Sequence, residues 1–588
     1  MKTINPAKWN WFNEVVLVVC SLVVYITTLN NGFFCWDDAA VALNPANRQL
    51  SVHQILHTFG SSQVGLYHPV TTLSFMLDYA IGQGSPFTFH LTNILLHSLN
   101  TLLLYLFLRK LTGKINPAFL AALLFAIHPM HVESVAWVTS RKDLMYTLFY
   151  FLTLIFYLKY LEKDRSWKNY GWAVLCFAFS LMSKIQAVTL PFVLILIDFY
   201  LKKRPVAKMI PDKIPFFLLC IPFGLANYYA QQGYGYISYG FHFSGFEQVF
   251  LMFYAASVYL MKIVFPFPLS VFYSFPFSPG EGIQAKEMIV VAFFLLLLVS
   301  AVIFRKKIPR MAGFGIWFFL INSLIVAVVT QRREFVIADR YVYLSSVGVF
   351  LLIASIAEYL PKTPSLLKKS VVVVLTLYIG FLSVSAFHRS LLWKDPEKLF
   401  SQALCHDEDS EIILNTLATL EIGKGNYEAA REHLDRAISV SPDYSQAYYN
   451  RGIVFTKTQQ ADLAITDFST AIRCKEDYTD AIFARGTVYM RKNEWVLAFD
   501  DFTRVLHYDP EHFGALQNRA IIRGGQNDFR GALEDLNMAV RVDPGTASTY
   551  YLRGIALFET GDNGCDDLRK ALNMGYDKAR QALVYYCE

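Results

Sequence analysis

The sequence predicts an all-α protein in two parts: a polytopic bundle of membrane helices, then a soluble solenoid of short helix pairs. Three observations carry that expectation. The 588 residues are 54% hydrophobic and only 17% charged, with a mean hydropathy of +0.34, too oily for ordinary water-soluble domains. The long apolar runs sit almost entirely within residues 1–388. From about residue 411 the chain instead becomes charged and repeats itself every 34 residues. Aromatic residues make up 16% of the chain, which suits rings at a lipid–water boundary.

The elements follow in order. Lys2 and Lys8 precede an apolar run from Val15 to Thr28, read as an uncleaved signal anchor with a cytoplasmic N-terminus. Further spans are expected at 89–108, 116–130, 144–161, 169–183, 187–201, 214–230, 287–304, 313–330, 342–359 and 370–387, about eleven crossings in all. Cationic clusters at 109–114, 159–168, 202–208, 305–310 and 362–369 then fall on one side, the cytoplasm. The segment 247–275 is apolar enough to insert, but as a full span it would move Arg305–Arg310 outside. It is therefore read as an external juxtamembrane helix with an aromatic, Pro-rich loop. A membrane domain 1–388, a linker 389–410 and a repeat domain 411–588 result, with the repeats external: periplasm in a bacterium, endoplasmic reticulum lumen in a eukaryote.

The repeats have the period of tetratricopeptide units, about five of them. Arg451, Arg485, Arg519 and Arg553 recur in step, as do Ala430, Ala464, Ala498 and Ala532. The small residues let paired helices approach. The repeated arginines read as a packing position with a solvated head, or as part of a groove. Such arrays bind peptides or proteins on a concave face, so an acceptor or a partner is expected there. The last unit is shortened around Gly564–Leu572. Of the eight cysteines, Cys565 and Cys587 could pair in an oxidising compartment.

Polar groups at membrane depth are costly, about 2.5–3.5 kcal/mol each. Their clustering at the external ends of the spans therefore points to a function. Trp36, Asp37 and Asp38 follow the first span, and His68 lies further along that loop. The second external loop carries His128, His131, Glu133, Arg141, Lys142 and Asp143. Lys184 lies between two apolar arms, and Arg332, Arg333, Asp339, Arg340 and Tyr341 follow the ninth span. External loops should be poor in cations, and an anionic ligand such as a lipid phosphate explains the exception. The positive net charge follows from the membrane topology, and no nucleic-acid partner is expected. No Walker, GxGxxG, HExxH or nucleophile-elbow pattern occurs.

These stretches, with the run from His128 to Trp137, Ser183-Lys184 and the run from Ala338 to Leu344, resemble the transmembrane and tetratricopeptide-repeat O-mannosyltransferases and their prokaryotic relatives, within the GT-C glycosyltransferases. The resemblance implies transfer of a mannose-like sugar from a polyprenyl- or dolichyl-phosphate carrier to a protein hydroxyl. It also implies an acidic residue of the first external loop at the reaction centre. Asp37 is then expected to orient or deprotonate the acceptor, with Asp38 assisting. Arg141, Lys142, Lys184 and Arg340, joined by Arg332 and Arg333, are expected to hold the phosphate. Trp36, His68, His131, Glu133, Asp143 and Tyr341 are expected to contact substrate. His131 and Glu133 are also candidates for a divalent metal, although no third ligand accompanies them. The competing expectation is a non-enzymatic membrane scaffold; a transporter is disfavoured because the polar residues cluster at span ends.

Overall fold

The computed structural model describes residues 11–587 apart from 35, 45–46, 49, 64, 163–165, 202–208, 234–242, 278–279, 281, 331–336 and 359–364. The chain forms two compact units, Met1–Asp407 and Glu408–Glu588. The described residues are helical in both, with loops, turns and one isolated bridge.

In the first unit, each expected span coincides with a helix, but not all are long. Seven helices among the described residues are long and apolar enough to cross a membrane, or eight if the bent pair Ile115–Ile127 and Pro129–Ala136 counts as one span. Eleven crossings were expected, several of them short. Trp167–Ser183, Ile185–Leu201 and Ser346–Ala357 are short helices, while Arg310–Thr330 runs for 21 residues. The reason is local: Lys184 breaks one apolar run, and the polar turn Asp339–Val342 delays the start of another. The segment read as a juxtamembrane helix is Gly245–Val264, long enough to span by length and composition. It opens with a capping box between Ser244 and Glu247. Its C-terminal carbonyls receive hydrogen bonds from His128 and Tyr378, and the following loop folds back so that Gly280 N–H reaches Glu247. The stretch 389–410 contains the end of the helix Ser365–Leu392 and the separate helix Pro396–Leu404.

The helix Pro86–Thr112 organises this unit. Asn93, His97 and Asn100 lie on one face of it, at four- and three-residue spacing, and all are buried. Asn93 donates to the carbonyls of Val135 and Trp137, His97 bonds Ala126 O and Tyr343 Oη, and Asn100 donates to Leu144 O. The carbonyls of Ala126, Val135 and Trp137 lie where helices end, so their backbone groups need partners from outside the helix. Backbone away from water must be satisfied, and this polar face does it.

In the second unit the array alternates paired helices from Glu411–Lys424 to Lys578–Tyr586. The repeated arginines are not solvated heads. Arg451 grips Asp467, Arg485 grips Asp501 and Arg519 grips Asp535, each through two guanidinium nitrogens and each 16 residues apart. In the last unit Arg553 grips Asp567 at a separation of 14, because two residues are missing from the turn. Gly564 permits that shortening: a Cβ there would lie 2.1 Å from Gly554 O. Cys565 and Cys587 form a disulfide.

Candidate functional site at the helix ends

The site is built from breaks in helices. His128 ends Ile115–Ile127 in extended backbone (ψ 129°), as expected of a residue before Pro129. The chain bends by 54° and passes through the short helix Val132–Ala136 and the 3-10 turn Val138–Ser140 before Arg141–Glu162 begins. This path carries Trp137 into the middle of the site. Trp36 packs edge-on against Trp137 at 5.3 Å, the Arg340 guanidinium lies 4.9 Å from its ring centre, and the Lys142 ammonium lies 6.0 Å from it. Segments about 300 residues apart in sequence thus meet on one indole.

Beside it lies a pocket of about 520 Å³, counting the part open to solvent. Of the expected residues, His68, Lys142, Lys184, Arg340 and Tyr341 line it together. Tyr341 stacks between cations, its ring centre 5.3 Å from Lys184 Nζ and 5.0 Å from the Arg340 guanidinium. Lys184 is held by Asp143 at 2.5 Å, and Arg340 is paired with Glu133 through its side chain. Lys184 and Arg340 thus reach the pocket with carboxylates holding them, and Lys142 joins them on the wall. Burial, chiefly, and then Lys142 push the His68 imidazole down to about 3, so His68 is neutral near neutral pH. Its Nδ1 lies 3.2 Å from Thr72 Oγ1.

The two aspartates part company. Asp38 is fully buried, its oxygens receiving the Phe34 N–H and the Thr139 N–H, both at 2.8 Å. Asp37 is half-buried and accepts the Thr139 hydroxyl at 2.5 Å. Asp38 thus ties two stretches of backbone together through both of its oxygens. Burial pushes its carboxyl up to about 7 against the two N–H groups, and the neighbouring Asp37 adds to the rise.

Other expected contacts lie elsewhere. Arg141 is fully buried: it pairs with Asp78 and donates to Asn93, Ser74 and Phe89, so it ties helices together and does not face the pocket. His131 spends both ring nitrogens, on Phe125 O and Ser346 Oγ. With Glu133 committed to Arg340, these two residues do not fit a metal, and no group of three potential ligands occurs among the described residues. Glu133 and Asp143 act behind the wall as counter-charges. Arg340 pairs with Glu133 and not with its neighbour Asp339, which takes Arg389 and Tyr273. Arg332 and Arg333 lie outside the described residues. Sequence reasoning missed Gln186 and Asn227, both on the pocket wall. An amide beside an apolar run has no periodic signature, and only the fold brings these two to the cations.

Residues 69–227 match the family described as dolichyl-phosphate-mannose-protein mannosyltransferase, and 421–459 and 518–564 match tetratricopeptide repeats. The mannosyltransferase match thus lies in the first unit and the tetratricopeptide matches in the second. Among curated relatives, mouse protein O-mannosyl-transferase TMTC2 is 34% identical over 211 residues, covering 34% of this chain and 25% of the relative. Caenorhabditis elegans protein O-mannosyl-transferase F38B6.6 is 27% identical over 455 residues, covering 74% and 63%. Human TMTC3, also named a protein O-mannosyl-transferase, is 23% identical over 446 residues, covering 67% and 47%. The chain thus spans about a quarter of the length of the TMTC2 relatives. Among solved structures, the repeat protein YrrB aligns over 32% of this chain and 98% of its own, at 21% identity and a TM-score of 0.29.

Proposed function

We propose that the chain is a membrane glycosyltransferase that moves mannose from a dolichyl- or polyprenyl-phosphate carrier to a hydroxyl of a protein. The pocket lined by Lys142, Lys184, Arg340, His68 and Tyr341 carries this reading. A glycosyl phosphodiester brings a negative charge, which the cations lining the wall attract. As the bond from the sugar C1 to the phosphate oxygen breaks, the leaving phosphate gains charge. Cations already fixed by Asp143 and Glu133 then stabilise it more than they stabilise the bound donor. The acceptor oxygen attacks C1 and its proton passes to Asp37, which Thr139 orients. Asp38 holds that loop in place.

The repeats recruit the acceptor, or a protein that delivers it, and face the secretory side. That side is supported by the Cys565–Cys587 disulfide, which oxidising compartments favour, and by the cationic clusters, which share the opposite side when Gly245–Val264 does not cross.

The test is sugar transfer from dolichyl-phosphate mannose to a Ser/Thr peptide. Asp37→Asn should lower kcat about 100-fold or more and leave donor binding unchanged. Equal rates would remove Asp37 as the base. A wild-type protein inert with every lipid-phosphate donor would favour the scaffold.

A further inference from the structure

One buried polar atom on the pocket wall has no hydrogen-bond partner in the protein itself. It belongs to Gln186, in the 3-10 turn Ile185–Thr189 that directly follows Lys184, whose backbone is extended (φ −161°, ψ 133°). Gln186 is 4% exposed, it lines the pocket, and its Oε1 has no hydrogen-bond partner. The backbone at this position is firmly placed: Gln186 O accepts the Thr189 hydroxyl, which in turn reaches Asn322 at 2.7 Å. Asn227, another amide on the wall, differs. Asn227 is already engaged with both backbone groups of Tyr67 and with Phe223 O, which holds the segment carrying His68. A buried acceptor without a hydrogen bond is costly, and this residue lines the pocket, so its partner is something that enters there.

The chemistry of that partner is constrained. An amide oxygen only accepts, and the phosphate of a glycosyl phosphodiester offers only acceptors. Of the groups such a donor brings, its sugar hydroxyls alone can give Oε1 a proton. Lys184 lies two residues away and belongs to the cationic wall, so phosphate and sugar would be read by adjacent positions of one turn. Resting on the donor-pocket reading above, we infer that Gln186 reads a hydroxyl of the donor sugar, and so sets which sugar the enzyme transfers. A site that hydrogen-bonds a substrate hydroxyl discriminates strongly against the analogue lacking it, because its own buried group is then stranded.

The test measures binding of two lipids, polyprenyl phosphate and polyprenyl-phosphate mannose, to the full-length protein in nanodiscs. Gln186→Leu should bind the bare phosphate within about twofold of wild type and the mannosylated lipid about tenfold more weakly. Equal losses for both lipids, or no loss for either, would overturn the inference. A ligand-side series guards against a variant that does not fold. Among monodeoxy-mannose donors, one should bind wild type about tenfold more weakly, and that penalty should vanish in Gln186→Leu. If every deoxy donor binds wild type as well as the parent donor, Gln186 reads no hydroxyl. A wild-type protein that binds neither lipid would instead sink the donor-pocket reading itself.

Discussion

At the level of single residues, Asp38 shows how a carboxyl can serve a site without facing it. Its folded-state proton is held up to about 7, against an ordinary aspartate value near 4. The native state therefore binds a proton that the unfolded chain has released. This contribution to stability is complete below about pH 4 and is lost as pH rises through about 7. The thermal midpoint should fall between roughly pH 4 and 7, and Asp38→Asn should flatten that slope. The same variant should destabilise by about 1–3 kcal/mol, because an amide nitrogen cannot accept the second of the two N–H groups. A slope unchanged in the variant would assign the titration to another group. The cations now on the pocket wall were legible because a charge beside an apolar run is expensive, so Lys184 and Arg340 stood out. Arg141 stood out for the same reason. Its partner Asp78, however, lies 63 residues earlier on another helix, and no pattern in the sequence announces that pairing.

Helices meet in this protein where side chains are absent. Gly315, in Arg310–Thr330, and Gly348, in Ser346–Ala357, bring two backbones into contact. A Cβ on Gly348 would lie 2.3 Å from Gly315 O and 2.6 Å from Phe319 N. The second helix follows the turn that carries Arg340, so Gly348→Val should cost about 1–3 kcal/mol and weaken donor binding at the same time. Gly313→Ala, where nothing lies within 4 Å, serves as the control for both measurements. In the repeats, removing the Arg485 fork strands a nearly buried Asp501. Hydrogen exchange in the helix Trp495–Tyr508 should then quicken by the equivalent of about 1.5–3 kcal/mol in Arg485→Ala, with little recovery in Arg485→Lys. The 34-residue period was plain in the sequence because each unit repeats the same packing. The aspartates that hold the arginines were not, since an acidic residue on a charged helix looks like any other solvated one. The span expected at 342–359 was overread for a related reason: hydropathy counts apolar residues and does not register the polar turn that delays the helix to Ser346–Ala357.

The molecule as a whole joins two units whose stability rests on different physics, lipid-facing helices in one and repeated ion pairs in the other. The disulfide belongs to the second. Cys565→Ser should loosen Lys578–Tyr586 and cost about 3 kcal/mol, seen as a lower melting temperature that reductant reproduces in wild type and not in the variant. In intact cells both thiols should resist maleimide until reduced; ready labelling would place the repeats in a reducing compartment. The first unit offers a different handle. Trp137 is one of nine tryptophans, yet its indole is the common neighbour of Trp36, Lys142 and Arg340. An anion settling among those cations alters the field across one chromophore that the chain already owns. The fluorescence lost in Trp137→Phe would then be the channel in which occupancy of the pocket can be watched in real time, without a label.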